Sequence, residues 1–324
     1  MSCSAIKDMK VAIIGVGGMG NTHLKNYVAL GAQIVAVVDS NFEKAQAVAK
    51  EFNCKAYSNY QELLDNEELN AVSVCTPPVF HKDAVIACLN KKINVLCEKP
   101  MAATAVEAKA MNDAAAANGV MLMLAYCHRF QWQVEIVKQW INEGKFGKIV
   151  LYENRFGGMA AMENLWFSKK EISGGGMVLD TLTHSMDLYR FLVGNAKSVK
   201  ASIYTNNPKL NVDDTAVLLL QSNDGVIGTL EGTWYAPVTE NQITVSGSKG
   251  TAYISYNKDN LTYCFEGMKD FEIMTAPAGD LGRFNKEIKA FLEGIIEGKA
   301  KMATGVDGVK AMEIYEAAMN SAAN

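Results

Sequence analysis

Residues 11–20 read VAIIGVGGMG, and this stretch decides the fold of the first part of the chain. An apolar run typical of a buried strand leads directly into a GxGxxG motif, and the helical pattern NTHLKNYVALG follows. In such a unit the first glycine permits a tight turn, the second lets the backbone approach a pyrophosphate, and the third lets helix and strand pack closely. The phosphates then lie at the positive N-terminus of the helix. The stretch therefore predicts a dinucleotide site formed by Gly15, Gly17, Gly18, Met19 and Gly20.

The end of the next apolar run indicates which dinucleotide is bound. QIVAVVD ends at Asp39, 19 residues after Gly20, and an acid that binds the ribose hydroxyls is expected about 20 residues on. A carboxylate accepts a hydrogen bond from the 2′-hydroxyl and repels a 2′-phosphate, so Asp39 predicts NAD in preference to NADP. Ser40 follows where an arginine would favour NADP, although Lys44 lies one turn later. The alternative is a glycine-rich turn without a ligand, which does not explain why strand, glycines, helix and acid are all in register.

Short apolar runs alternate with longer helical patterns from about residue 10 to residue 125. The apolar runs are KVAIIG, QIVAVVD, NAVSVCTP, INVLCEKP and VMLMLAY, and patterns such as VEAKAMNDAAAANG separate them. Continuous apolar strands between helices indicate a parallel sheet with both faces covered. The sequence therefore predicts an α/β Rossmann domain, a doubly wound parallel sheet, over residues 1–126.

The pattern changes after Tyr126, where longer apolar runs follow one another with turn signals between them. These runs are GKIVLYENRF, KSVKASIYTN, DTAVLLLQS, GVIGTLEGTWY, NQITVSGS and GTAYISY. Helical patterns cover residues 131–142, 177–193, 282–297 and 307–322. The sequence predicts an α+β domain with a mostly antiparallel sheet over residues 127–324.

Composition excludes several classes of partner. The chain has 324 residues, with 31 basic and 35 acidic side chains and a net charge of −4, and it contains no run of lysine or arginine. This balance predicts neither a nucleic-acid-binding surface nor binding to an anionic membrane. No run of about 18 apolar residues exists to span a membrane, and the N-terminal apolar stretch is too short and too glycine-rich for a signal peptide.

The seven cysteines, at positions 3, 54, 75, 88, 97, 127 and 264, are scattered and form no CxxC pair. Their odd number and their apolar surroundings favour reduced, buried thiols over a disulfide framework or a zinc site. We therefore expect a cytoplasmic protein without a structural metal.

Two predicted strands end in residues that can face the cofactor, because ligands of doubly wound sheets bind outside the carboxyl ends of the strands. VCTPPVFH ends the run that begins NAVS, so Thr76, Pro77 and His81 are expected to border the dinucleotide; His81 could instead satisfy backbone groups at a helix start. INVLCEKP ends the next run and places Glu98 and Lys99 at the same edge. A lysine there can stabilise negative charge on a substrate oxygen. The alternative is a solvated lysine that forms an ion pair with Glu98.

A second group of polar residues follows three glycines in SGGGMVLDTLTHSMD, residues 173–187. Asp180, His184 and Asp187 are spaced by four and then three residues, so they share one face of an otherwise apolar helix. We interpret this face as part of an active site. A zinc site is one alternative, although no HExxH and no third clustered histidine or cysteine accompanies it. A buried histidine satisfied by its two acidic neighbours is the other.

Taken together, GxGxxG, the acid after the second strand, CTP…H, EKP and GGG…D…H…D resemble the glucose–fructose oxidoreductase/inositol dehydrogenase (Gfo/Idh/MocA) family over nearly the whole chain. The resemblance implies an N-terminal Rossmann domain followed by a domain with an open, mostly antiparallel sheet. It also implies that Lys99, Asp180 and His184 are the catalytic residues. These three, together with the candidates Arg129 and Trp166, are the residues expected to bind the substrate.

Two further positions concern the substrate. Phe130, which follows Arg129 in the CHRF segment, also falls where the family lines the site. Leu182 lies two residues before His184, where many relatives have glycine. The substrate of any one relative is therefore not carried over to this chain.

The resemblance implies an NAD(P)-dependent dehydrogenase that oxidises or reduces one carbinol or carbonyl of a sugar, cyclitol or related polyol. One alternative is a glycosidase that oxidises a sugar carbon transiently and eliminates the aglycone. The other is a non-catalytic NAD-sensing regulator, against which the presence of Lys99, Asp180 and His184 together argues, because a sensor needs only the cofactor site. Since imidazole titrates near neutral pH, His184 is the expected base for the substrate hydroxyl. Lys99 is expected to hold the oxygen as a cation, and Asp180 to orient the substrate or the imidazole.

Assembly is the last expectation from the sequence. Strands such as TAVLLLQ and VIGTLEGTWY carry apolar residues in near-continuous or alternating order, whereas helices can cover only one face of their sheet. A large apolar patch that remains usually marks an interface. We therefore expect a homodimer formed through sheet faces of the second domain, or a homotetramer made of two such dimers.

Overall fold

The computed structural model describes residues 5–158, 161–237, 240–300 and 302–323, so Cys3 lies outside the described residues. Contacts between Cα atoms divide the chain into two units. The first unit comprises Met1–Cys127 and Arg283–Val309, and the second comprises His128–Gly282 and Lys310–Asn324. The first unit therefore includes a segment that the sequence-based division assigned to the second domain.

The first unit contains a six-stranded sheet in the order β3-β2-β1-β4-β5-β6, with every neighbouring pair parallel. Strands β1 to β6 span Lys10–Ile14, Gln33–Val38, Lys55–Tyr57, Ala71–Val74, Asn94–Cys97 and Leu122–Leu124. The predicted doubly wound sheet is confirmed, and the short strand β3 is an addition to the predicted runs. The strand order reverses between β1 and β4, where the carboxyl ends of parallel strands open a crevice for ligands.

Five helices connect these strands. Helices α1 to α5 span Gly18–Ala29, Phe42–Phe52, Tyr60–Asn66, His81–Asn90 and Ala105–Asn118. The side chains of Asn41, Asn59 and Thr104 each accept a backbone N–H from the first turn of the helix that follows, which fixes the start of α2, α3 and α5. Helices on both faces explain why β4 is buried at every position.

The segment after residue 282 returns to the first unit. Helix α10, Arg283–Glu297, packs against α1 and buries Ile288, Phe291 and Leu292. The N–H of Leu124 in the edge strand β6 then donates to the carbonyl of Ala303 at 2.7 Å. A helical pattern shows that a helix has an apolar face but not which sheet that face covers. This is why the sequence did not reveal where the segment belongs.

The second unit is built on an eight-stranded sheet in the order β14-β13-β12-β11-β7-β10-β9-β8. Strands β7 to β14 span Ile149–Gly157, Ala196–Tyr204, Thr215–Ser222, Ile227–Thr233, Gln242–Gly247, Gly250–Ser255, Asn260–Phe265 and Glu272–Thr275. Only β7 and β10 pair in parallel, so the predicted, mostly antiparallel sheet is confirmed. The sequence did not predict β13 and β14, whose mixed composition lacks a strong alternation.

Helices cover one face of this sheet. Helices α6 to α9 span Trp132–Asn142, Lys170–Ser173, Met177–Asp180 and Leu182–Leu192, and α11 spans Gly305–Ala322 across the boundary at residue 309. Helix α9 packs against β7 and β10. Residues along β9 alternate between buried and exposed, as expected of a sheet with one covered face. None of the helices in the described ranges combines the length and the hydropathy that a membrane-spanning helix requires.

The prediction of one continuous helix over residues 177–193 is wrong, because the helix is interrupted at Thr181. The N–H of His184 donates to the Thr181 carbonyl three residues earlier, at 3.3 Å, which is the tighter 3₁₀ pattern. The Thr181 hydroxyl in turn accepts the indole N–H of Trp234 at 2.9 Å. Asp180 therefore ends one short helix, and His184 lies in the first turn of the next.

Candidate active site

The glycine-rich loop has the geometry that a dinucleotide requires. Gly15 has a φ of +92°, and a Cβ there would lie 2.8 Å from the backbone of Cys75. A Cβ at Gly20 would lie 2.0 Å from the Gly15 carbonyl oxygen, so this glycine lets α1 pack against the end of β1. A Cβ at Gly17, by contrast, would meet nothing within 4 Å among the described atoms. Gly17 therefore leaves open space where a pyrophosphate can approach the N-terminus of α1.

Asp39 lies directly beside this loop. Its Oδ2 accepts the N–H of Val16 at 3.1 Å, and its Oδ1 accepts the N–H of Asn41 at 3.0 Å. The Lys44 ammonium is 3.6 Å from Oδ2. The carboxylate is thus held at the carboxyl end of β2 next to the glycines, as the register of the sequence predicts. Loop and carboxylate together fit NAD.

The ends of β4 and β5 carry the next group of predicted residues. The ring of His81 is fully buried, with Nε2 2.7 Å from the Thr76 carbonyl oxygen and Nδ1 3.0 Å from that of Pro100. Desolvation by burial lowers the pKa of His81. These contacts fit the second role considered for His81, that of satisfying backbone groups. Among the described residues, the Thr76 hydroxyl is buried without a hydrogen-bond partner.

The EKP segment follows β5, and its lysine is partly exposed. The Lys99–Pro100 peptide bond is cis. Glu98 is 6% exposed, and its carboxylate lies 3.1 Å from Nε2 of the buried His23. The other carboxylate oxygen accepts the backbone N–H of Lys99, also at 3.1 Å. Glu98 is therefore turned into the first unit rather than toward solvent.

In the second unit, the predicted stripe of Asp180, His184 and Asp187 is divided between two environments. Asp180 and His184 are partly exposed, whereas Asp187 is buried. The guanidinium of Arg129 bonds both oxygens of Asp187, with Nε at 2.8 Å and Nη2 at 2.6 Å. The same guanidinium lies 4.9 Å from the centroid of the Phe191 ring. Asp187 thus holds Arg129 in the core, and only the first two residues of the stripe are open to a ligand.

The last of the three glycines that lead into this part of the second unit, Gly176, lies where the backbone is crowded. A Cβ at Gly176 would lie 2.2 Å from the Asp213 carbonyl oxygen. That carbonyl accepts the N–H of Met177 at 2.8 Å, and the Asp213 side chain accepts the N–H of Val178 at 2.7 Å. Asp213 therefore accepts the first N–H groups of α8 and fixes the start of the helix that carries Asp180.

His184 lies in a cluster of rings that the sequence did not reveal. The imidazole of His128 is 4.3 Å from that of His184, measured between centroids, and 5.1 Å from the rings of both Phe156 and Tyr256. His128 precedes Arg129 in CHRF, so its position next to a predicted site residue was the one available signal. Tyr256 follows β12 and carries no recognisable motif. The cluster gives His184 a fixed, partly apolar surrounding.

Trp166 lies in a short 3₁₀ helix, Trp166–Ser168, between β7 and α7. Its ring stacks on that of Phe167 with centroids 3.8 Å apart, and both side chains are partly exposed. Phe130 is buried instead. Of the aromatic residues predicted to line the substrate site, Trp166 is therefore the accessible one.

Comparison with known proteins identifies the family. The profile of the oxidoreductase family with an NAD-binding Rossmann fold, GFO_IDH_MocA, matches residues 9–126. The profile of the GFO/IDH/MocA C-terminal domain matches residues 134–253. The chain belongs to the Gfo/Idh/MocA family. It is accordingly an oxidoreductase with NAD as its cofactor, as the sequence predicted.

Two dehydrogenases match this chain over almost its whole length. Levoglucosan dehydrogenase from Pseudarthrobacter phenanthrenivorans is 26% identical, with 98% of this chain and 97% of its own length covered. The scyllo-inositol 2-dehydrogenase (NAD(+)) of Bacillus subtilis is 27% identical, with coverages of 98% and 94%. A solved structure of levoglucosan dehydrogenase in complex with NADH and levoglucosan has a TM-score of 0.90 at 25% identity, covering 97% of both chains.

Proposed function

We propose that this enzyme oxidises one CH–OH group of a sugar, cyclitol or related polyol with NAD, or reduces the corresponding carbonyl with NADH. The observation that carries the proposal is the pair Asp180 and His184, both open to a ligand beside His128 in a chain whose other unit fits NAD. Support comes from two relatives of full length, which are named for the oxidation of levoglucosan and scyllo-inositol.

The proposed reaction consists of two transfers, one of a hydride and one of a proton. Oxidation removes a hydride from the carbinol carbon and a proton from its oxygen, so that a carbonyl forms. Bound NAD supplies the hydride acceptor. His184 takes the proton, a transfer that contributes about 10²–10⁴-fold when the base is well placed. The Lys99 ammonium holds the same oxygen and favours its anionic form, and Asp180 orients the substrate or the imidazole.

The residues proposed to bind the cofactor are those predicted from the sequence. Backbone groups of the glycine loop from Gly15 to Gly20 receive the pyrophosphate, and Asp39 receives the ribose hydroxyls. Thr76, Pro77, His81, Glu98 and Lys99 border the same edge of the sheet. Of the two further substrate candidates, Trp166 is the stronger, because Arg129 is 4% exposed and bonded to Asp187.

The function is tested with a panel of cyclitols, aldoses, uronic acids and glycosides. Each compound is incubated with the enzyme and either NAD or NADP, and the absorbance of the reduced nicotinamide is followed. We expect NADH to accumulate with at least one free polyol or sugar. Cleavage of a glycoside without net NADH would show the glycosidase instead. Cofactor binding without turnover across the panel would favour the regulator.

Replacement of Asp39 by serine is expected to narrow the preference for NAD over NADP by about tenfold or more, because the repulsion of the 2′-phosphate is lost. Asp39→Asn is the matched control for shape. It keeps an oxygen that can accept the Val16 N–H and removes only the charge. The measurements are kcat/KM and the calorimetric Kd for both cofactors. The idea fails if the wild type already prefers NADP, or if Asp39→Ser changes neither constant.

We also propose that the enzyme is a homodimer, or a pair of such dimers, formed through the open face of the second sheet. Val217 and Leu219 on β9 and Ile227 on β10 are 46%, 46% and 45% exposed, and Leu151 on β7 pairs directly with Ile227. These four side chains lie on one face of neighbouring strands, where Thr229 stands opposite Leu219 and Glu231 opposite Val217, and exposed apolar side chains on one face favour an interface.

A lysine at residue 219 is expected to abolish this association, because a charge cannot be buried there without a partner. Sedimentation of wild type at micromolar concentration should give a multiple of the 35.2 kDa chain, and Leu219→Lys should shift it to the monomer. Val106→Lys places the same charge at an exposed apolar position of the first unit and should leave the assembly intact. A monomeric wild type would contradict the proposal.

A cytoplasmic location is proposed as well. The six described cysteines are all free, and Cys88, Cys97 and Cys127 are buried, as expected of a protein kept in a reducing compartment. Fractionation of cells that produce the protein tests this proposal.

A further inference from the structure

A chain of buried polar side chains runs beneath the EKP segment of the first unit. His23 and Tyr27 come from α1, Ser73 from β4, and Glu98 follows β5. The first three are fully buried, and Glu98 is nearly so. Tyr27 Oη is 2.8 Å from Ser73 Oγ, Ser73 Oγ is 3.0 Å from His23 Nδ1, and His23 Nε2 is 3.1 Å from Glu98 Oε1.

One arrangement of protons satisfies every group in this chain. The ionised carboxylate of Glu98 only accepts, so Nε2 of His23 donates to it. Nδ1 then accepts from the Ser73 hydroxyl, whose oxygen accepts from Tyr27. Burial by itself would raise the pKa of Glu98, but the hydrogen bond from His23 and the attraction to Lys99 outweigh it, and the pKa lies below its usual value. The far end of the chain is a fully buried tyrosine.

This hydrogen-bonded chain of side chains fixes the backbone N–H of Lys99. One oxygen of Glu98 accepts from His23, and the other accepts the Lys99 N–H at 3.1 Å. On the other side, the His81 ring contacts the carbonyl oxygens of Pro100 and Met101 at 3.0 and 3.3 Å. The Lys99 N–H is therefore held by Glu98, which His23 holds in turn, and the His81 ring lies against the backbone that follows Lys99.

We propose that His23 is a positioning residue for Lys99, acting through Glu98. His23 lies on α1 less than one turn after Gly20, so the helix that carries the phosphate-binding loop also fixes the peptide of the lysine. These contacts thereby fix the position of Lys99 relative to the phosphate-binding loop. The inference rests on the proposed function, in which Lys99 holds the reacting oxygen. It adds a residue outside the glycine, EKP and Asp180–His184 motifs.

The test compares three variants with the wild type. His23→Phe keeps a ring but removes both nitrogens, and kcat should fall about tenfold or more, while the calorimetric Kd for NAD changes less than about threefold. His23→Gln retains an N–H that can reach Glu98 and should recover most of the lost kcat. Tyr27→Phe removes the far end of the same chain without touching Glu98, and it should keep kcat within about twofold of wild type.

A second readout does not depend on turnover. The Lys99 amine is labelled with a brief pulse of an acylating reagent and quantified by peptide mass spectrometry, with Lys91 in the same sample as the reference. His23→Phe should change the labelling rate of Lys99 about threefold or more and leave that of Lys91 unchanged. If the wild type oxidises no polyol, the proposed function fails, but this readout still decides whether His23 positions Lys99.

Unchanged kcat and unchanged Lys99 labelling in His23→Phe would overturn the proposal. An equal loss of kcat in Tyr27→Phe would also overturn it, because the effect would then be general core damage. If His23→Phe does not fold, Glu98→Gln decides, because it removes the charge that links His23 to the Lys99 peptide and keeps the side-chain shape. If Glu98→Gln has the same kcat and the same Lys99 labelling rate as the wild type, the hydrogen-bonded chain does not position Lys99.

Discussion

Lys99→Ala and His184→Ala are each expected to lower kcat by about 10²-fold or more, with the Kd for NAD nearly unchanged. The two side chains have complementary tasks in the proposed reaction. His184 removes the hydroxyl proton, and Lys99 stabilises the charge that then develops on the oxygen. Neither task concerns the pyrophosphate or the ribose, so cofactor affinity should survive.

The measurement is steady-state kinetics on the best substrate of the panel, with calorimetry for NAD. Lys91→Ala is a matched control for Lys99, because it removes an exposed lysine of the same unit. Its kcat should equal that of the wild type. If both alanine variants keep more than a tenth of the wild-type rate, Lys99 and His184 have structural roles and the proposed mechanism is wrong.

Breaking the Arg129–Asp187 pair is expected to lower the free energy of unfolding of the second unit by about 3–5 kcal/mol. Both side chains are buried, so removal of either one leaves the other as an uncompensated charge. Arg129→Met and Asp187→Leu should each show this loss. The double variant should lose much less than the sum, because no unpaired charge is left.

Urea unfolding followed by tryptophan fluorescence reports on this unit, because all four tryptophans, Trp132, Trp140, Trp166 and Trp234, belong to it. The matched control is Glu313→Ala, which breaks the exposed Lys310–Glu313 pair at 2.7 Å on α11. That change should cost no more than about 1 kcal/mol. A loss of similar size in Asp187→Leu would mean that the buried pair contributes little, and Arg129 would again be a candidate for substrate binding.

The sequence predicted the features that depend on local geometry. The turn at Gly15 and the close packing of α1 at Gly20 follow from a few neighbouring residues. The position of Asp39 follows from the length of one helix and one strand. For Asp180, His184 and Asp187, the sequence predicted only that their spacing places them on one helical face. It did not show that Asp187 pairs with Arg129, 58 positions earlier in the sequence, because that contact depends on tertiary packing.

Other parts of the site depend on contacts that no spacing in the sequence relates. His128 contacts His184 from a different element, and Tyr256 contacts His128 in turn. The hydroxyl of Thr181, where the helix is interrupted, accepts the indole N–H of Trp234, which follows β10 of the second sheet. The sequence does not distinguish His23 from any other polar position of a helix, because Ser73 and Glu98, which lie at its two nitrogens, come from distant parts of the chain.

The return of residues 283–309 to the first unit has a consequence for synthesis on the ribosome. The helix that covers α1 and the segment that pairs with β6 emerge only after residues 128–282 have been made. At about 5–20 residues per second, that is a delay of roughly 8–30 s. During this time the nascent Rossmann sheet has an open edge and an uncovered apolar helix face, where a chaperone could bind.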